Sequence, residues 1–371
     1  MNKLIPGDSP FDNFRLRVYA DAILHPRLTV YTEFLVDPSL ATNFEVFLRA
    51  YAKFNAYTGK KADLNFQAGK IPTAFGSYAV RAYSEKNPLI GAPLMYHYFS
   101  SLRANQFPAS NAELLAKHGQ GQPADLATNF TGFTAAPKIN GLPMVYDPGW
   151  DVGIAAVGSL WRLEYVMAVM QGTLSAPRSK GGDNNEGKSF SGRIGFVPFI
   201  GAVVGTSFAH GPYLDNAVVV PLRAKGFKNV EEFNQRTVGF DAEFSIRHLK
   251  LYGEAVYNRW ESPNIKDAAG VKRVDLTNIG WYAEGKYTFL PGLYAAVRYS
   301  KITFGKIDDG TVAHVARHWD DDVETWESGI GYKLTEGVIG KIVNQTHRRK
   351  PNTGGKSKYE NFWATQLSMA F

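Results

Sequence analysis

Apolar and polar residues alternate with period two along most of this chain. In residues 359–371, Trp363, Leu367, Met369 and Phe371 share one face, and Glu360, Gln366 and Ser368 share the other. Successive side chains of a β-strand point to opposite faces, so this is the pattern of a strand between an apolar and a polar medium. The same alternation recurs in residues 15–22, 28–34, 44–54 and 64–68. It returns in segments beginning near Trp150, Arg162, Ser191, Ala202, Thr237, Lys250, Leu276, Leu293, Glu324, Val338 and Tyr359. The pattern predicts about 15 long strands, each close to the ~10 residues of a tilted membrane-spanning strand. Strands of ordinary soluble sheets average only ~5–6 residues.

The connections alternate too. Residues 25–26, 158–160, 198–201, 247–248, 290–292 and 335–337 are short, whereas 37–43, 172–188, 211–234, 262–273, 306–322 and 347–358 are long. Tight turns at one end and long loops at the other, closed by a strand ending on an aromatic, predict a transmembrane antiparallel β-barrel of the bacterial outer membrane. In this reading the last strand and the strand at Arg15 both run toward the periplasm. A closed bacterial barrel needs an even number of strands, so about 16 are expected, with one more ahead of Arg15. Residues 1–13 are too irregular to be that strand, and no apolar stretch near Met1 resembles a signal peptide. The expectation is a chain that begins one strand late.

Residues 70–148 interrupt the rhythm. Pro72, Pro88, Pro93, Pro108, Pro123, Pro137, Pro143 and Pro148 argue against sheet there. Ser110 and Glu113 form a capping box and Gly119 a stop signal, predicting a helix over residues 111–118. An insertion of this length is rarely idle. Within a single barrel domain spanning residues 1–371, it is expected to fold into or over the lumen.

Composition narrows the function. The chain has 371 residues, 44% of them hydrophobic, and no long apolar run that would make a transmembrane helix. There is no cysteine, which removes disulfides, thiolate catalysis and covalent haem. Lys and Arg exceed Asp and Glu by 41 to 34, for a net charge of +7. On a barrel this points to anionic solutes and to lipopolysaccharide rather than to nucleic acid.

Residues 67–76, Gln-Ala-Gly-Lys-Ile-Pro-Thr-Ala-Phe-Gly, are followed by 83–91, Tyr-Ser-Glu-Lys-Asn-Pro-Leu-Ile-Gly. Together they resemble a region of the phosphate-selective porin O and P family, in which a Gly-Lys-x-Pro segment leaves an early strand for a lumen-directed loop. The resemblance implies 16 strands, a trimer, and an arginine ladder with a lysine cluster at the constriction. No such ladder is evident in this sequence.

Strand parity assigns inward cations to Arg15, Arg17, Arg49, Lys53, Arg162, Arg193, Arg247, Lys286 and Arg298. Inward anions fall at Asp21, Glu33, Glu45, Glu164, Asp241, Glu243, Glu254, Glu284, Glu327 and Glu360. The two sets nearly cancel, so wall charges are expected to pair across strands. The insertion carries a basic excess, with Arg81, Lys86, Arg103, Lys117, His118 and Lys138 against Glu85, Glu113 and Asp125. Rings of Arg or Lys select anions. Arg81, Lys86, Arg103, Lys117 and Lys138 are therefore the candidate constriction, with Arg81 and Lys86 foremost. Tyr83, Tyr96, His97 and Tyr98 are expected to pack against the wall rather than form a sugar track.

His314, His318, Asp320, Asp321 and Asp322 could hold a divalent cation, but read better as a solvated loop, and no metal or cofactor is expected. The expected function is passive diffusion of small hydrophilic solutes with modest anion preference, by a homotrimer. The rivals are a non-conducting barrel sheathing an electron-transfer partner, an outer-membrane hydrolase using His210 and Asp215, and a soluble β-rich binding protein.

Overall fold

The computed structural model describes residues 15–36, 44–122, 130, 133–134, 141–147, 149–177, 185, 187–224, 233–264, 272–309 and 313–370. The chain begins with β1 (Leu16–His25), β2 (Leu28–Val36), β3 (Phe44–Thr58) and β4 (Ala62–Pro72). The insertion holds α1 (Leu94–His97), β5 (Gln106–Phe107), α2 (Asn111–Ala116) and β6 (Phe133–Thr134). Next come β7 (Trp150–Leu160), β8 (Leu163–Met170), β9 (Ser189–Phe196), β10 (Ala202–Pro212), α3 (Asn216–Ala224), β11 (Asn234–Ile246) and β12 (Leu249–Asn264). The chain continues with β13 (Lys272–Leu290), β14 (Leu293–Phe304), β15 (Lys306–Asp308), β16 (Ala316–His318), β17 (Asp322–Thr335), β18 (Val338–Lys350) and β19 (Lys358–Met369).

Fifteen strands pair in chain order from β1 to β19 in one sheet, omitting only the two small pairs β5–β6 and β15–β16. Each is antiparallel to its neighbours, so every short turn lies at one end and every long connection at the other. By the same logic β1 and β19 point the same way. They are the two edges of the sheet among the described residues. The further strand expected ahead of Arg15 falls outside those residues.

Alternation sorts the side chains as the sequence pattern requires. Val238, Phe240, Ile279, Val297, Ile330, Ile342 and Leu367 are exposed on the outer face. Aromatic groups share this face, with Trp281, Tyr299 and Trp326 in contact across β13, β14 and β17 and Tyr287 and Phe289 near the short turn of β13. An apolar belt between aromatic girdles is what lipid selects. The inner face is polar but buried. Gln235 and Thr237 both donate to the Asn258 Oδ1, and Asn258 donates to Asn278 at 3.1 Å. Buried amides of this kind need partners, and here adjacent strands supply them.

Four local elements differ from expectation. The insertion contains a small antiparallel pair, Gln106↔Thr134 and Phe107↔Phe133, where its prolines had argued against sheet. The predicted helix over 111–118 ends at Ala116, because Lys117 and Gly119 leave helical geometry. Two long loops carry structure that periodicity did not show, the helix α3 and the hairpin β15–β16.

Candidate functional site

The inner face surrounds the insertion, and buried polar contacts hold the two together. Arg81, in the short 3-10 turn Ala79–Arg81, donates to Glu284 at 2.7 Å and to the Tyr282 hydroxyl at 2.9 Å. Its guanidinium lies 3.7 Å from the Tyr252 ring centroid. Arg298, fully buried, bridges Glu284 and Glu327 and donates to the Gly91 carbonyl. The Lys341 ammonium donates to the carbonyls of Ser84, Asn87 and Leu89, and to Gln366. Tyr96 donates to Glu254 at 2.8 Å, and Tyr83 to Glu33 at 3.2 Å. The Ser84 and Ser368 hydroxyls meet at 2.7 Å, and Ser368 and Lys341 lie near the short-turn end of their strands. The insertion therefore enters from the long-loop end and reaches nearly the full depth of the wall.

Small residues on the wall make room for it. A Cβ on Gly280 would lie 2.7 Å from the Met144 sulfur and 2.9 Å from the Met95 Cβ; one on Gly239 would lie 2.9 Å from the Phe75 ring. Around these contacts a single apolar core joins Tyr78, Met95, Leu102, Phe107, Leu114 and Met144 of the insertion to Val256, Trp260, Leu276, Ile302 and Phe304 of the wall. Leu214, Val218 and Leu222, in and beside α3, cover the same core from the long-loop end. Each such side chain contributes about 1.5–3 kcal/mol when fully buried.

A second set of contacts fixes the outer limb of the insertion. Asp320, fully buried, accepts the amide N–H groups of Ser101 at 2.7 Å, Gly119 at 2.5 Å and Asp321 at 2.8 Å. Asp321 accepts Arg349 Nε at 2.6 Å and the Asn352 amide at 3.0 Å, and meets His118 Nδ1 at 2.5 Å. Arg349 also donates to the Gly119 carbonyl. Gly119 has φ +68°, and a side chain there would collide with the Arg349 guanidinium. That requirement was legible in the sequence only as a helix stop. Burial pushes the Asp320 carboxyl up to about 6, against the backbone donors that favour its anion. Burial also acts to raise Asp321, but His118 and Arg349 outweigh it and hold that carboxyl below the ordinary carboxylate range.

The structure separates the candidate constriction residues. Arg81 is consumed by its wall contacts. Arg103 is buried, donating to Gln106 Oε1 at 3.0 Å and to the Gln120 carbonyl at 3.2 Å. Lys117 pairs with Glu113 at 3.7 Å and lies over the Phe130 ring. Lys138 lies outside the described residues. Lys86 is exposed, 5.7 Å from the Tyr83 ring centroid, and makes no ion pair among the described residues.

The wall arginines are mostly paired. Arg17 and Arg49 share the buried Glu33, at 3.4 and 3.6 Å, and Arg193 grips Asp241. Arg15 precedes β1, and Arg162 lies in the β7–β8 turn, donating to the Pro198 carbonyl. Inward lysines behave differently. Among the described residues Lys53, Lys250 and Lys286 form no ion pair, and Lys286 rests 3.9 Å from the Tyr294 ring centroid. Parity could have found Lys250 and Lys341, which share faces with Glu254 and Gln345. His210 sits in β10 opposite Arg236, while Asp215 is buried just ahead of α3. Among the described residues no cluster of His, Asp or Glu has an arrangement that could hold a metal.

No family model matches the chain, and neither does any curated protein. Solved structures do match. The outer membrane channel DcaP of Acinetobacter baumannii is 14% identical, with a TM-score of 0.52 over 96% of this chain and 84% of that one. An anion-selective porin from Comamonas acidovorans is 9% identical, with a TM-score of 0.52 over 95% and 85%. OmpT, an outer membrane protein of Vibrio cholerae, is 8% identical, with a TM-score of 0.50 over 96% and 89%. At these identities the likeness is one of fold. The chain has the porin-like antiparallel β-barrel fold of the bacterial outer membrane, and its lipid-facing belt agrees. The narrower resemblance to phosphate-selective porins rests on residues 67–91 alone.

Proposed function

We propose that this protein is a homotrimeric outer-membrane porin through which small hydrophilic solutes diffuse passively, with a modest preference for anions. The observation that carries the reading is the unequal pairing of inner-face charge. Among the described residues, the carboxylates of Glu33, Asp241, Glu284 and Glu327 are tied to arginines, whereas Lys53, Lys250 and Lys286 on the wall and Lys86 on the insertion have no ion pair; Glu85, Glu254 and Glu360 also lack a cation, and of these Glu254 is held by Tyr96. Unpaired lysines along a low-dielectric lumen attract anions. No chemical step is part of this function. The packed insertion also argues against a barrel that sheathes a protein partner, since a partner would need that space.

Planar-bilayer recording of the refolded full chain under a KCl gradient tests the reading. Discrete steps with a reversal potential displaced toward chloride are expected. The displacement should shrink in a Lys53→Gln/Lys86→Gln double variant. Inserted, heat-modifiable protein that never conducts would overturn the proposal.

A further inference from the structure

We propose that the inner wall of β1–β3 carries a binding site for small aromatic carboxylates, in which Tyr19, Tyr31 and Tyr51 receive the ring and Lys53 the carboxylate. This inference rests on the porin reading and names a solute class for it.

The residues share one face. Glu33 and Arg49 face the lumen, because Tyr83 of the insertion donates to Glu33 and Arg49 pairs with it at 3.6 Å. Side chains two positions away on the same strand face the same way. Tyr31 on β2 and Tyr51 on β3 are therefore inward. They are direct cross-strand partners, and Asp21 on β1 lies opposite Tyr31. Their rings stack, with centroids 5.2 Å apart and planes at 26°. Tyr19, opposite Glu33, supplies a third ring that is 48% exposed. Lys53 is the next inward residue of β3 beyond Tyr51, opposite Thr29 of β2 and Gln67 of β4.

The rings are both fixed and accessible. Tyr51 packs against the apolar clusters that contain Ile71 and Leu48, which holds it in place. On the wall of β12 and β13, Trp260 and Tyr282 are fully buried in the core shared with the insertion, whereas Tyr31 and Tyr51 are only part-buried. Lipid does not select aromatic rings on the lumen side; a planar apolar solute does, through stacking.

Charge sets the orientation. Arg49 is committed to Glu33 and to Asp21 at 3.7 Å, and its guanidinium lies 5.1 Å from the Tyr19 ring centroid. Among the described residues the ion pairs of β1–β3 use Arg17, Arg49, Asp21 and Glu33, and Lys53 takes part in none. Successive inward rows are about 7 Å apart along a strand. A ring on the Tyr31–Tyr51 row therefore brings an attached carboxylate within reach of the Lys53 ammonium, with the Gln67 amide beside it. Asp21, on the β1 side of the rings, repels that carboxylate and turns it toward β3. A neutral sugar would leave the Lys53 charge unanswered, and a bare phosphate would make no use of the rings.

Ligand-observed saturation-transfer NMR on the refolded full chain tests the site without requiring conductance. The probes are benzoate, cyclohexanecarboxylate (same charge, no π-face) and benzyl alcohol (same ring, no charge). Benzoate is expected to bind roughly threefold to tenfold tighter than cyclohexanecarboxylate, the size of one aromatic contact. Tyr31→Leu should erase that preference. Lys53→Gln should weaken benzoate about tenfold, the size of one charged hydrogen bond, and leave benzyl alcohol unchanged; Lys53→Arg should restore benzoate. If Tyr31→Leu does not refold by heat modifiability, the three probes on the unaltered chain and the Lys53 variants still decide. Equal binding of benzoate and cyclohexanecarboxylate, or benzoate binding indifferent to Lys53→Gln, would overturn the site. Planar-bilayer recording separates the two readings. A silent barrel that keeps this binding pattern would sink the porin reading and leave the site standing, whereas a conducting one without the pattern would do the reverse.

Discussion

Arg81 shows how far a side chain's role depends on what surrounds it. Its position in a basic insertion reads as a pore cation, yet its guanidinium is buried against Glu284, Tyr282 and Tyr252. Removing one partner of a buried pair strands the other charge, at a cost of about 3–5 kcal/mol. Arg81→Met should therefore lower the urea midpoint of unfolding in lipid vesicles and enlarge the unit conductance; a smaller conductance would contradict an anchoring role. Gly280 makes the complementary point. A Val there would press on Met144 and Met95, and overpacking costs about 1–3 kcal/mol. Gly280→Val should reduce refolding yield, whereas Gly340→Ala, with no atom within 4 Å of a new Cβ, should leave it unchanged.

At the scale of elements, strands and insertion obey different rules. Each strand was visible because period-two patterning persists over many residues, and the observed strand starts fall within a few residues of those predicted. The turns needed only proximity. The insertion has no period, so sequence located its helix through Ser110 and Glu113 but not its path. That path is set by backbone carbonyls, which every residue possesses and no pattern distinguishes. Lys341 illustrates this: its ammonium serves the carbonyls of Ser84, Asn87 and Leu89. Hydrogen bonds from a charged donor contribute about 1.5–3 kcal/mol each. Lys341→Met should leave the barrel folded by heat modifiability and expose residues 81–91 to protease. Unchanged protease resistance would show that apolar packing alone secures this limb.

For the whole molecule, the governing fact is that the two faces of one sheet meet different media. Phe240 is exposed at mid-strand on the lipid side, and an arginine there should cost about 2–4 kcal/mol in vesicle unfolding titrations. Glu164→Gln, on the lumen side and largely exposed, should cost little. Equal effects of the two substitutions would overturn the assignment of faces. The sequence by itself determined the barrel class, the strand count visible in this chain and the direction of its turns. It could do so because alternation is a local property, repeated strand after strand and enforced by lipid. Only the tertiary structure decided which charges are spent and which are free. Glu33 is shared by Arg17 and Arg49, Arg81 is an anchor, and Asp320 reaches amides more than 200 residues away in sequence. Such pairings depend on depth and on distances across the lumen, quantities that a one-dimensional pattern does not carry.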